Sequence, residues 1–243
     1  VTGVQTCALP IFLNINSDFH EDNENILICS KKMEKNKTQS TSTPPSGAAG
    51  LVIINYGAGN IQSIMFAIER LGYKAVLSNN PEEIKAADKV IFPGVGEASY
   101  AMKMLQESGL DTLIPTLKQP VLGICLGMQL MCQSSEEGNT KGLGIFDVDV
   151  VKFSSNVKVP QMGWNTIYNL KSDLFEGIAE NAYMYLVHSF YAPLCKETIA
   201  TTNYELEYSS ALEKDNFFGT QFHPEKSGDV GEQILNNFLN LKF

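Results

Sequence analysis

One pentapeptide limits what this chain can fold into more than any other stretch. Gly123-Ile124-Cys125-Leu126-Gly127 follows the apolar pair Val121-Leu122 and opens a helical pattern over residues 126–133. It reads as a nucleophile elbow, a strand that passes into a helix through one sharp turn with a cysteine at the turn. The turn residue is held in a strained backbone conformation, and a Cβ on either flank would collide with the strand or the helix, so both flanks are glycine. The strain pushes the sulfur into the open. At a helix N-terminus, oriented amides and the helix dipole favour thiolate over thiol.

The surrounding sequence supplies the sheet that such a unit needs. Apolar runs over 51–55, 75–77, 90–92 and 120–124 alternate with helical stretches over 61–71, 81–87 and 97–106. In the first helix Ile61, Ile64, Met65, Ile68 and Leu71 recur at helical spacing; Asn60 suits the N-cap, and Gly72 closes the helix. Past Val148 the pattern changes to short alternating runs over 148–153, 166–168, 182–187, 198–204, 209–212 and 217–222, with a closing helix over 231–241. The expected fold is α/β: an open, largely parallel, doubly wound sheet with mixed strands on its later side.

Composition sets the boundaries of that domain. Residues 1–50 are expected to be a disordered tail or non-native leader, because 14–50 is polar and 31–50 has the Ser/Thr/Pro/Gly character of a linker. Residues 1–12 lack the basic start and apolar length of a signal peptide. Read back into codons, residues 1–11 resemble a translated sequencing adapter; native codons upstream of Met33 on resequencing would overturn that reading. The folded domain is then expected over 51–243. With 27 acidic against 18 basic residues the chain has a net charge of -9 and no footprint for nucleic acid or anionic lipid. No apolar stretch approaches the roughly 20 residues of a membrane span. Five cysteines without CxxC or metal-ligand spacing suggest neither a disulfide framework nor a metal site, and no cofactor is expected. A reducing cytoplasm is the expected location.

An activated cysteine needs a base, and the chain has only three histidines, one of them, His20, in the leader. His223 follows the apolar run 217–222 and precedes Pro224, which places it at a strand end, where active sites of open α/β sheets gather. Glu225, two residues on, can accept from the imidazole and fix its tautomer. An isolated His-Pro-Glu would read as a surface turn; beside the glycine-flanked cysteine it reads as base and orienter. His188 is expected to be structural. Pro93-Gly94-Val95-Gly96, between a strand and a helix, can aim backbone amides into the same crevice, with the amide of Leu126 as a further oxyanion donor. A phosphate cradle is the rival reading of that turn, weakened by the lack of a Walker lysine or GxGxxG.

These residues carry a resemblance. Cys125 in GICLGMQ, His223 and Glu225 in GTQFHPEKSG, and Gly94-Val95-Gly96 resemble the class I, triad-type glutamine amidotransferases. Residues 55–60 (NYGAGN), 93–97 (PGVGE), 159–165 (VPQMGWN) and 185–191 (YLVHSFY) resemble, within that class, the glutaminase subunits of imidazole glycerol phosphate synthases. The resemblance runs from Leu51 to the C-terminus. It implies that Cys125 attacks the side-chain amide of glutamine, that His223 protonates the departing ammonia and then activates water, and that Glu225 holds His223. Gly94, Gln129, Ser189 and Phe190 would bind the substrate, and Val95, Gly96 and Leu126 would line the oxyanion hole.

The resemblance also implies a partner. Ammonia freed into water is lost, so a synthase hands it directly to an acceptor site; in the family this is a (β/α)₈ cyclase subunit in a heterodimer of histidine biosynthesis. Asn60, Gln161, Met162, Gly163, Trp164 and Asn165 would line the contact, with Trp164 either its anchor or an ordinary core tryptophan. Gln161 departs from the histidine expected of many relatives. Three other readings stay open: an amidotransferase subunit of another synthase, such as one for anthranilate or pyridoxal phosphate, a free-standing hydrolase, and a non-catalytic protein of the same fold.

Overall fold

The computed structural model describes residues 49–57 and 60–242. The leader expected over 1–50 lies outside the described residues except for Ala49 and Gly50, which begin the first strand. Ala58 and Gly59 of the turn before Asn60 lie outside them as well.

The strands are β1 (Ala49–Ile54), β2 (Ala75–Ser78), β3 (Ala87–Gly94), β4 (Val121–Cys125), β5 (Ser134–Ser135), β6 (Thr140–Lys141), β7 (Asp149–Lys152), β8 (Gln161–Ile167), β9 (Ala182–His188), β10 (Phe190–Tyr191), β11 (Thr198–Tyr204), β12 (Leu206–Lys214) and β13 (Phe217–Thr220). A seven-stranded sheet has the order β11-β12-β13-β4-β3-β1-β2. It is parallel from β2 to β13 and antiparallel from β13 to β11. This is the mixed, mostly parallel sheet that the change of pattern past Val148 predicts. A small sheet of β10-β7-β5-β6 and a ribbon of β8 and β9 accompany it.

Alternate residues of the parallel strands feed two cores, which is what makes the sheet doubly wound. On one face Val52, Ile54, Val90 and Phe92 pack with the helix Ala98–Glu107 through Ala101, Met102 and Leu105. On the other, Leu51, Ile53, Ile91 and Leu122 meet Ile64 and Ile68 of the helix Ile61–Arg70 and Ile234, Leu235 and Phe238 of the helix Gly228–Asn240. Each fully buried side chain of this size contributes roughly 1.5–3 kcal/mol. Helix Ile61–Arg70 ends in a Schellman arrangement: Gly72, at φ +83°, donates to Glu69 and Tyr73 donates to Ile68. At its start Asn60 occupies the N-cap but does not bond a backbone amide; its Oδ1 accepts from Ser63 Oγ at 3.1 Å.

Two elements differ from the sequence reading in ways that shape the site. The elbow helix is Leu126–Leu130, shorter than the expected 126–133. The loop 143–146 ends it, because the amides of Leu143, Ile145, Phe146 and Gly144 take the carbonyls of Leu130, Met131 and Cys132. Strand β8 begins at Gln161 rather than 166, and its ladder pairs Gln161 with His188 and Trp164 with Tyr185. The two motif segments of the later half are therefore strand partners. No helix among the described residues is long and apolar enough to cross a membrane.

Candidate active site

Register brings the ends of three parallel strands together. Gly94 at the end of β3 lies beside Cys125 at the end of β4, and Thr220 at the end of β13 lies beside Ile124. Cys125 has φ 55° and ψ -111°, a conformation an L-residue rarely adopts, and the elbow helix starts at the next residue. The glycines around it are required by close approach. A Cβ on Gly127 would run into the carbonyl oxygen of Phe92, and one on Gly123 would sit 2.8 Å from the amide nitrogen of Met128. Gly94, expected to touch substrate, does not line the cavity; it is glycine because a Cβ there would lie 2.8 Å from the backbone of Leu126.

Cys125 opens onto a cavity of about 330 Å³, at the small end of the range for small-molecule sites. Its walls include Val95, Gly96, Leu126, Gln129, Ser189, Phe190 and His223, so the structure brings these expected residues to one place. Glu225 stands behind His223, with Oε1 2.8 Å from Nδ1 and both side chains almost wholly buried. With Nδ1 engaged by the carboxylate, Nε2 is the ring nitrogen left for the sulfur. It has no other hydrogen-bond partner among the described residues. Burial disfavours a charged ring, but hydrogen bonds and negative charge from Cys125 and Glu225 outweigh it and push the His223 pKa up to about 10. The turn that carries His223 is stitched to β9. His223 N–H donates to the Tyr185 carbonyl at 2.9 Å, while the Ser227 hydroxyl donates to the His223 carbonyl at 2.7 Å and accepts from the Tyr185 amide at 3.0 Å.

A polar chain runs along the cavity wall. Gln129 Nε2 donates to the Phe190 carbonyl and to Gln221 Oε1, both at 2.9 Å, and Gln221 Nε2 stands 3.8 Å from the Cys125 sulfur. His188 Nδ1 lies 2.7 Å from the same Phe190 carbonyl, which can only accept, so that nitrogen carries the proton. Burial lowers the His188 pKa to about 4, and Nε2 faces the buried hydroxyl of Tyr208 at 3.2 Å. His188 is thus a neutral structural group beside the site.

Two polar residues near the Cys125 sulfur and the cavity, Glu137 and Gln221, were not anticipated from the sequence. Glu137 lines the cavity and accepts from the Ala98 amide at 2.9 Å; burial raises its pKa, against that hydrogen bond. It sits in the polar run 134–140, which reads as a solvated turn, and only the distant pairing with Ala98 turns it inward. Gln221 offered a signal, as a fully buried amide inside the apolar run 217–222. Among the described residues, no group of His, Cys, Asp or Glu could hold a metal ion.

The residues expected at a partner contact lie on β8 and near the helix Ile61–Arg70. Met162 and Trp164 are 66% and 57% exposed, which removes the core reading of the tryptophan. Across the ribbon Tyr183 is 62% exposed, and the Trp164 and Tyr185 rings meet edge-on at 6.1 Å. Asn165 Nδ2 donates to the Asn203 carbonyl at 2.9 Å. Gln161 differs: its side chain points inward, is 4% exposed and lies 2.9 Å from the Tyr208 hydroxyl, so it reaches no surface.

The family model for glutamine amidotransferase class-I matches residues 52–241. The chain belongs to the class-I glutamine amidotransferases. It is 58% identical over 194 residues to the imidazole glycerol phosphate synthase subunit HisH of Bacteroides fragilis (strain YCH46), a match covering 79% of this chain and 99% of that protein. It is 47% identical over 194 residues, with the same coverage, to the subunit of the same name from Yersinia pseudotuberculosis serotype I (strain IP32953). Among solved structures, PurLQS from Thermotoga maritima shares the fold with a TM-score of 0.60 at 15% identity, over 80% of this chain and 99% of that one.

Proposed function

We propose that this chain is the glutamine-hydrolysing subunit of an imidazole glycerol phosphate synthase. In this reading it works in the cytoplasm, in a heterodimer with a (β/α)₈ cyclase subunit, and supplies ammonia for histidine biosynthesis. One observation carries the reading: a strained cysteine, a histidine and its carboxylate converge on one small cavity in a chain 58% identical to a subunit of that name.

The geometry supports the following chemistry. With the proton given up by Cys125 already held on His223 Nε2, Sγ attacks the side-chain amide carbon of glutamine. The oxyanion is received by backbone amides of Val95, Gly96 and Leu126. His223 then gives its proton to the departing nitrogen, which leaves as ammonia, and a γ-glutamyl thioester remains on Cys125. Water, deprotonated by His223, attacks the thioester; glutamate departs and the thiol is restored. Glu225 keeps the His223 proton on Nδ1 between these steps.

The cavity walls account for the substrate. Both donors of the Gln129 amide nitrogen are engaged, so what it offers glutamine is its carbonyl oxygen. With Glu137 it forms an accepting pair for the substrate's α-ammonium group. The carbonyls of Ser189 and Phe190 are both taken, by Phe153 N–H and by Gln129 and His188, which leaves this segment's donors for the α-carboxylate. Asn60, Met162, Gly163, Trp164 and Asn165 would face the cyclase, while Gln161 supports that strand from beneath.

The test is glutamate release by the wild-type chain and by Cys125→Ser, with and without the cyclase subunit. Turnover that rises with the cyclase and vanishes in Cys125→Ser is expected. Strong turnover unchanged by the cyclase would favour another synthase or a free-standing hydrolase, and turnover retained by Cys125→Ser would refute the mechanism.

A further inference from the structure

The loop that leaves β1 carries a buried hydroxyl that the mechanism above does not use. Tyr56 stands two residues beyond the end of β1, is 3% exposed, and packs its ring 5.5 Å from that of Phe92. Its hydroxyl donates to the carbonyl oxygen of Pro93 at 2.9 Å. Burial, and then the charge of nearby Cys125, push its pKa far up, so it remains a donor.

The place of that carbonyl in the sheet gives the bond its meaning. The ladder between β1 and β3 ends at Ile53 and Ile91. Past that point the Asn55 amide turns away to the Ser78 carbonyl on β2, at 2.9 Å, and Pro93 has no N–H of its own. On the opposite edge β3 stays paired with β4, through Pro93 with Ile124 and Gly94 with Cys125. The Tyr56 hydroxyl therefore stands where a ladder donor would, at the last tether on that side among the described residues before the chain leaves the sheet as Gly94-Val95-Gly96. Beyond it the turn is open: Val95 is 38% exposed, Gly96 has φ +97°, and both reach the cavity.

We infer that Tyr56 is a positioning residue for catalysis: by holding the Pro93 carbonyl it sets where the Val95 and Gly96 amides stand relative to the Cys125 sulfur. The inference rests on the proposal that these amides receive the oxyanion. A displacement of about 1 Å in such a group costs on the order of 100-fold in rate. Tyr56→Phe removes the hydroxyl and keeps the ring against Phe92.

The experiment compares wild type and Tyr56→Phe in complex with the cyclase subunit, by two reactions at the same sulfur. Glutamine hydrolysis passes through an oxyanion; alkylation of Cys125 by iodoacetamide displaces iodide at carbon and forms none. The expected result is a fall in kcat of at least about 10-fold, with KM for glutamine and the alkylation rate both within about twofold of wild type. The thermal midpoint should move by no more than about 5 °C. An unchanged kcat would overturn the inference, as would a rise in KM alone. A parallel loss of hydrolysis and alkylation would overturn it too, by assigning Tyr56 to the triad or to folding. Failure of the functional reading looks different: the wild-type complex itself would release no glutamate.

Discussion

Replacing Glu225 by Gln changes one atom of the site, and the structure gives the size of the effect. Glu225 Oε1 lies 2.8 Å from His223 Nδ1, with side-chain exposures of 0% and 3%. Hydrogen bonds to charged groups contribute about 1.5–3 kcal/mol, which corresponds to a rate loss of about 10- to 150-fold at 1.36 kcal/mol per decade. The amide has a further difficulty, because Oε2 of Glu225 has no hydrogen-bond partner among the described residues. An amide that keeps its oxygen on Nδ1 buries an NH₂ with nothing to accept from it. Turned over, it forces the ring proton onto Nε2, the atom that must take the proton of Cys125. In a serine-protease triad that wrong tautomer costs about 10⁴-fold. Glu225→Gln should therefore lower kcat by between about 10² and 10⁴, measured as glutamate release with the cyclase present.

The same pair has a signature in stability. His223 is held charged in the fold, so its stabilisation is complete below about pH 6.5 and is lost as the pH rises through about 10. Without the Glu225 charge less of it remains to be lost. The stability gap between wild type and Glu225→Gln, measured by urea unfolding, should narrow from pH 7 to pH 10. A kcat within about threefold of wild type, or a gap that is constant with pH, would refute the assignment of Glu225 as orienter.

Other perturbations separate the structural from the reactive groups. His188 is neutral in the fold with its pKa lowered to about 4, so the unfolded chain gains a proton below about pH 6.5 that the folded one does not. Wild type should lose up to about 3 kcal/mol between pH 6.5 and 4 that His188→Gln does not lose; the variant should keep the wild-type pH–kcat profile between pH 6 and 9, and loss of its acidic limb would make His188 a catalytic base after all. Trp164→Ala should leave the unfolding free energy within about 1 kcal/mol, since the ring is 57% exposed, yet weaken cyclase binding by about 2 kcal/mol or more, roughly 30-fold. Calorimetric titration of the two subunits checks the second value, and unchanged affinity would remove Trp164 from the interface.

What the sequence makes legible here is what is local. The elbow needs only Gly123, Cys125 and Gly127, and the parallel half needs only apolar runs with helical stretches between them. Features fixed by distant pairing are not legible in this way. Strand β8 begins at Gln161 because β9 pairs with it as far as His188, although Gln-Met-Gly-Trp-Asn has no alternation of its own. The elbow helix stops at Leu130 because loop 143–146 caps its carbonyls. Glu137 looks like part of a solvated acidic run until the Ala98 amide draws it inward. Gln161, read as surface, is held inside by Tyr208, a residue 47 positions away. In each case the deciding contact joins segments that no sequence window contains together.

Transfer of nitrogen from this chain to its partner is the central claim, and isotope labelling tests it most directly. The complex is supplied with glutamine labelled with ¹⁵N at the side-chain amide, the cyclase substrate, and an excess of unlabelled ammonium in the buffer. The account predicts that the imidazole product carries ¹⁵N, in step with glutamate released, and that Cys125→Ser abolishes both. Product carrying ¹⁴N while glutamate is still released would contradict it.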